Sequence, residues 1–182
     1  MEEELGDSVD AILIFMGTND YNKNRLLGRW YDVTLEDVNW KGKTAKLCRR
    51  TFNRDVTTMR GAANVAMDRL KSRYPRAQIV VMTPIHRAFF QCSETNIQPC
   101  EEWPNIGGVY LDEYVEAVKE IGNVWSVPVI DLNADSGLFP LKDEFIPYFR
   151  SATNDRLHPN GVGHKRLAKV IYARLKALPA TF

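Results

Sequence analysis

The stretch AILIFMGTND, Ala11 to Asp20, decides how this chain is read. Its first six residues, Ala11 to Met16, are apolar without a break. A short continuous apolar run suits a strand buried on both faces, as in a parallel sheet. Gly17 follows at once and permits a tight turn off that strand. In open α/β sheets, sites form beyond the carboxyl ends of the strands. Gly17, Asn19 and Asp20 therefore stand where chemistry is expected.

Outward from this strand the pattern repeats. AQIVVMT, Ala77 to Thr83, reads as a second buried strand, and VPVIDL, Val127 to Leu132, as a third. A helix is expected from about Thr58 to Arg73, with Ala62, Val65, Ala66, Arg69 and Leu70 on or near one face and Pro75 marking its end. A second, from about Tyr110 to Trp125, sets Tyr114, Val118, Ile121 and Trp125 on one stripe. A third starts near Asn160 and carries Leu167, Val170, Ile171, Leu175 and Leu178 inward. Alternating strands and helices imply a parallel sheet with helices on both faces, a three-layer α/β/α domain. The segment from Tyr21 to about Val56 exceeds the usual loop length and reads as an insertion with local structure. Two further irregular stretches run from Pro84 to Gly108 and from Asn133 to Asn154. No repeat or composition shift marks a second domain, so residues 1–182 read as one.

Composition excludes several classes. The net charge of +1 gives no reason to expect a nucleic-acid partner. No apolar run approaches the ~20 residues of a membrane span. The first ten residues, MEEELGDSVD, are acidic and lack signal-peptide features. Cys92 and Cys100 bracket the polar segment CSETNIQPC. They read either as a small disulfide loop in an oxidising compartment or as two free thiols. Cys48 has no obvious partner. No His/Cys spacing reads as a zinc site.

Three features fall at strand ends: GTND after the first, TPIHR (83–87) after the second, and DRLHPNGVGH (155–164) between the third and the last helix. Asp155 and His158 are three apart in a loop leading into a helix. That spacing lets the carboxylate accept a bond from the imidazole Nδ1–H and leaves Nε2 free as a base. Asn19 can offer its side-chain N–H₂ to a developing oxyanion. Singly, each has a structural reading as a turn or helix-entry residue. Arg87 could bind a substrate carboxylate or sulfate, with His86 beside it, and a solvated loop pair is the competing reading. Asp20 is a further substrate-side candidate, or simply orients the turn. Trp30, Trp40 and Trp103 could stack on a sugar ring or acyl chain, or anchor their loops. His164, one turn into the last helix, reads as a packing residue.

GTND and DRLHPNGVGH together resemble the SGNH, or GDSL, hydrolase family. GTND is similar to the block whose Asn is an oxyanion-hole donor. Asp155 and His158 match the Asp-x-x-His that supplies two members of a catalytic triad. The resemblance implies a flavodoxin-like parallel sheet of five strands in the order 2-1-3-4-5. It implies a serine esterase acting on acyl or acetyl esters of carbohydrates or small lipid-like molecules, with no metal or cofactor. Export to the periplasm or the extracellular space is a further expectation for a full-length relative.

The triplet Gly6-Asp7-Ser8 looks like the family's nucleophile block but is expected to be a chance match. Ser8 lies only nine residues before Gly17. The six-residue strand between them spans about 20 Å. Ser8 would then sit at the opposite end of the strand from Asn19, whereas a nucleophile must lie about 3 Å from the reacting carbon. On this reading the chain is the C-terminal two-thirds of such a hydrolase. It lacks the first two strands and the Ser, and is weak or inactive alone. The strand at 11–16 becomes an unpaired apolar edge through which the chain could associate. An inactive remnant or carbohydrate-binding module of the same fold is the alternative. A metal-dependent hydrolase using Asp20, His86, Asp155 and His158 is a third.

Overall fold

The computed structural model describes residues 9–179. The Gly6-Asp7-Ser8 triplet lies outside the described residues. In chain order the elements are β1 (Ala11–Phe15), α1 (Thr18–Asn22), β2 (Tyr31–Trp40), β3 (Lys43–Phe52), α2 (Met59–Arg73), β4 (Gln78–Met82), β5 (Phe90–Gln91), β6 (Ile97–Gln98), α3 (Leu111–Trp125), β7 (Val129–Ile130), α4 (Leu132–Asp135), β8 (Phe149–Ser151), β9 (Asp155–Pro159) and α5 (Gly161–Lys176). A 3₁₀ turn, Asp143–Tyr148, precedes β8.

β1, β4 and β7 form a parallel sheet in that order. Successive strand residues point to opposite faces, so the apolar runs feed two cores. Ile79 and Val81 of β4 pack with Met59, Ala63 and Met67 of α2 and with Val115, Val118 and Ile121 of α3. Val80 and Met82, on the other face, pack with Ile130, Leu132, Phe149 and Leu167. β4 lies between the two layers, which is why its sequence is apolar at consecutive positions. The buried face of α2 is Met59, Ala63 and Met67, with Leu70 half-buried. Ala66 and Arg69, assigned to that face from sequence, are exposed. A weakly amphipathic helix pattern is ambiguous in phase, and here the buried methionines fix it.

β1 stands at one edge of this sheet. Ile12 and Ile14 pack toward the α2–α3 layer. Leu13 and Phe15 stand beside Val80 and Met82, yet they remain 47% and 53% exposed.

The local structure of the long segment after α1 is an antiparallel hairpin of two ten-residue strands, β2–β3. Lys41 and Gly42, with φ of 53° and 80°, make its turn. Two positive φ values in a two-residue hairpin loop are the type I′ signature. Phe52 secures its base by stacking on Trp125, with centroids 4.4 Å apart, and on Tyr31 at 5.5 Å. Trp30 donates its indole N–H to Glu120 at 2.6 Å and so anchors its segment, while Trp40 and Trp103 are exposed. The stretch from Pro84 to Gly108 is fastened by buried polar groups. Tyr21 donates to the Trp103 carbonyl at 2.7 Å, and Asn105 donates to the Tyr114 hydroxyl at 3.0 Å.

Candidate active site

Gly17 ends β1 with φ 109°. A Cβ there would stand 2.7 Å from Pro84 Cγ. Only glycine meets both the positive φ and the close approach. This turn aims α1 so that Thr18, Asn19, Asp20 and Asn22 line a cavity of about 520 Å³. Asn19 is exposed, and its side-chain amide has no partner among the described residues.

The Asp155–His158 segment, which reads from sequence as a loop, forms part of β9. The long connections force this: β9 pairs with β8 on one side and with β5 on the other. Ala88 and Gln91 donate backbone bonds to Arg156 and Asn154, which ties the chain after β4 to this strand. Asp155 is buried, and its Oδ1 accepts from the backbone N–H of Leu157 at 3.2 Å and of His158 at 2.9 Å. Its two oxygens lie 3.0 and 3.1 Å from His158 Nδ1. With the carboxylate ionised, the ring proton sits on Nδ1 and Nε2 keeps its lone pair. The imidazole lines the same cavity as Gly17 and Asn19. Phe90 holds it edge-on, with centroids 4.8 Å apart and planes at 81°. Nothing in the sequence marks Phe90, because its place depends on the β5–β9 pairing.

Asn160 fixes the exit from β9. Its side-chain oxygen accepts from Val162 and Gly163 N–H as the cap of α5. Its Nδ2 donates to the Pro147 and Phe149 carbonyls at 2.9 and 2.8 Å. A capping residue bonded on both sides locks the strand–helix junction that carries His158.

The other candidates separate. Asp20 lines the cavity and pairs with Arg25 at 3.3 Å. His164 also lines it, although it reads from sequence as a packing residue. His86 does not; its Nδ1 is 2.7 Å from Glu101. Arg87 is fully buried behind the cavity, bonded to Asn22 and Gln98. Arg150, Asn22 and Gln98 are cavity residues that sequence reasoning missed. Asp20, His86, Asp155 and His158 do not gather into a ligand set: the described residues contain no group of three or more His, Cys, Asp or Glu able to hold a metal ion. Cys92 and Cys100 are free thiols, as is Cys48. No helix among the described residues is long and apolar enough to cross a membrane.

The whole chain is similar to several solved structures. One is 28% identical and aligns with a TM-score of 0.74, over 97% of this chain and 68% of its own. A protein from Lactobacillus plantarum is 21% identical, with a TM-score of 0.73 over 97% of this chain and 71% of its own. A possible lipase from Chitinophaga pinensis is 21% identical, with a TM-score of 0.63 over 94% of this chain and 75% of its own. None of the curated proteins compared with the chain matches it. The family model described as GDSL-like lipase/acylhydrolase matches residues 1–166, which hold the GTND turn, the hairpin and the Asp155–His158 pair. This chain belongs to the GDSL-like lipase/acylhydrolase family.

Proposed function

We propose that the cavity is the acyl-ester site of a serine-type hydrolase, with His158 as general base, Asp155 as its orienting carboxylate and Asn19 as an oxyanion donor. One observation carries this reading: a His whose Nδ1 is held by a buried carboxylate faces the same cavity as an uncommitted Asn amide at a strand end. The imidazole takes a proton from the attacking hydroxyl, and the Asn19 N–H₂ stabilises the oxyanion that forms on the carbonyl oxygen. Gly17 supports the turn that presents Asn19. Substrates are small or carbohydrate-borne esters, and no step calls for a metal or cofactor.

No serine or cysteine lines the cavity among the described residues. In this reading the described residues supply the base, its carboxylate and the oxyanion donor, and the serine comes from outside them. The same observation favours a second reading, in which the cavity binds an ester or sugar without turnover. Hydrolysis of p-nitrophenyl acetate separates the two. His158 Nε2 can deliver water to so activated an ester, so a slow rate is expected that falls about 10²-fold in His158→Ala. A rate identical in the two proteins would leave only the binding reading. Fluorophosphonate labelling with peptide mapping locates the nucleophile. A His158-dependent label on Ser8 would place it within this chain.

A further inference from the structure

The wall of the cavity beside α1 carries an electrostatic imbalance. Arg87 is fully buried, and no carboxylate lies within 4.0 Å of its guanidinium among the described residues. Its Nε has no hydrogen-bond partner. The guanidinium lies over the Tyr21 ring, 5.2 Å from its centroid. Glu101, close in space, attracts the Arg87 charge but spends its carboxylate oxygens on His86 Nδ1 and on the backbone N–H of Arg87, each at 2.7 Å. Burial pulls the Arg87 pKa down to about 10. A buried cation with no carboxylate in contact is costly, and an arriving anion relieves that cost.

Two neutral amides connect Arg87 to the cavity. Nη1 donates to Asn22 Oδ1, and Nη2 donates to Gln98 Oε1 at 3.2 Å. Asn22 Nδ2 donates to the same Gln98 oxygen at 2.5 Å. Arg87 has only donors, so it turns both amide oxygens toward itself. The Gln98 N–H₂ is thereby left for the cavity that both amides line. Arg150 of β8 lines the cavity too, exposed and without an ion pair among the described residues. Among the described residues Asp20 is the sole carboxylate in the lining, and Arg25 pairs with it. The wall thus offers donors and positive charge with no unpaired carboxylate among the described residues to match.

We infer that this cavity binds a carboxylate carried by the ester substrate, contacted by Arg150 and by the N–H₂ group of Gln98, which Asn22 helps to orient. Arg87 acts behind them as a positioning residue and a source of positive field. The word substrate rests on the esterase reading; the anion site rests on the charges and amide orientations alone.

The test compares mono-methyl succinate with dimethyl succinate, which share a skeleton and differ by one charge. Calorimetry on the full chain gives the affinities, and proton NMR of the same samples gives turnover. The monoester is expected to bind about tenfold tighter than the diester, as charge-assisted bonds require. Arg150→Gln should reduce that preference several-fold. Gln98→Glu should abolish it, by giving Arg87 the counter-ion it lacks. Both positions lie at the cavity wall rather than in the core, so the test does not depend on a buried Arg87 variant folding. Equal affinities in the unaltered chain, no binding of the monoester, or a preference unchanged in both variants would overturn the inference. Preference in a chain whose p-nitrophenyl acetate hydrolysis does not depend on His158 would remove the esterase reading and keep the anion site. Hydrolysis without preference would do the reverse.

Discussion

Asp155 meets His158 Nδ1 with both carboxylate oxygens, at 3.0 and 3.1 Å, while the same carboxylate accepts two backbone N–H bonds from the strand that carries the histidine. The carboxylate is therefore both the local fold of β9 and the orienting group of the imidazole. Asp155 is 12% exposed at its side chain and His158 41%, so one is held and the other is presented.

This double duty separates two substitutions. Asp155→Asn keeps an oxygen for the backbone bonds but offers an N–H₂ to Nδ1, which favours the wrong tautomer. The protein should fold with little loss of stability, and any His158-dependent ester hydrolysis should fall roughly 10²- to 10⁴-fold. Asp155→Ala removes the acceptor altogether and should also cost about 1–3 kcal/mol. Urea denaturation and initial rates on p-nitrophenyl acetate report the two effects. Equal activity in Asp155→Asn and the unaltered protein would remove Asp155 from the mechanism.

Gly17→Ala should destabilise by about 1–3 kcal/mol, because a φ of 109° is strained for alanine. The new methyl would also press on Pro84. Thermal or urea unfolding measures this. A neutral substitution would mean that the turn after β1 relaxes freely.

Phe52→Ala removes the ring between Tyr31 and Trp125. Loss of that stacking and burial should weaken the hairpin anchor by about 2 kcal/mol. Trypsin should then cut faster after Lys43, Lys46, Arg49 and Arg50, while the α2–α3 core stays intact by circular dichroism. Unchanged cleavage would show that the hairpin is held elsewhere.

The exposed edge of β1 should make the chain associate as concentration rises. Leu13→Lys with Phe15→Lys places charges on that apolar face and should shift the protein toward monomer. Sedimentation velocity across a concentration series checks this. A monomer throughout, with or without the lysines, would rule the edge out as a contact.

The three thiols give a chemical check on the loops. Iodoacetamide should modify all three cysteines of the denatured chain without reductant. In the native protein Cys100 should react slowest, because burial pushes its thiol pKa up. Cys48 and Cys92 are exposed. Protection of Cys92 together with Cys100 until reductant is added would show that they pair.

The sequence by itself determined the parallel α/β pattern, because continuous apolar runs such as Ile79–Met82 and period-3.6 stripes such as Tyr114–Val118–Ile121 are local properties of the chain. It also determined the start of the last helix near Asn160 and the Asp155–His158 spacing, since each involves residues within a few positions of one another. The tertiary structure alone decided what those residues face. Phe90 reaches His158 because β5 pairs with β9, and Arg150 enters the cavity on β8. Arg87 is buried because Tyr21, Asn22 and Gln98 close over it. The hairpin at 31–52 escaped a reading as strands because most of both its faces meets solvent, so no apolar alternation marks it. Patterns report burial against a core. Contacts between distant polar segments leave no period in the sequence.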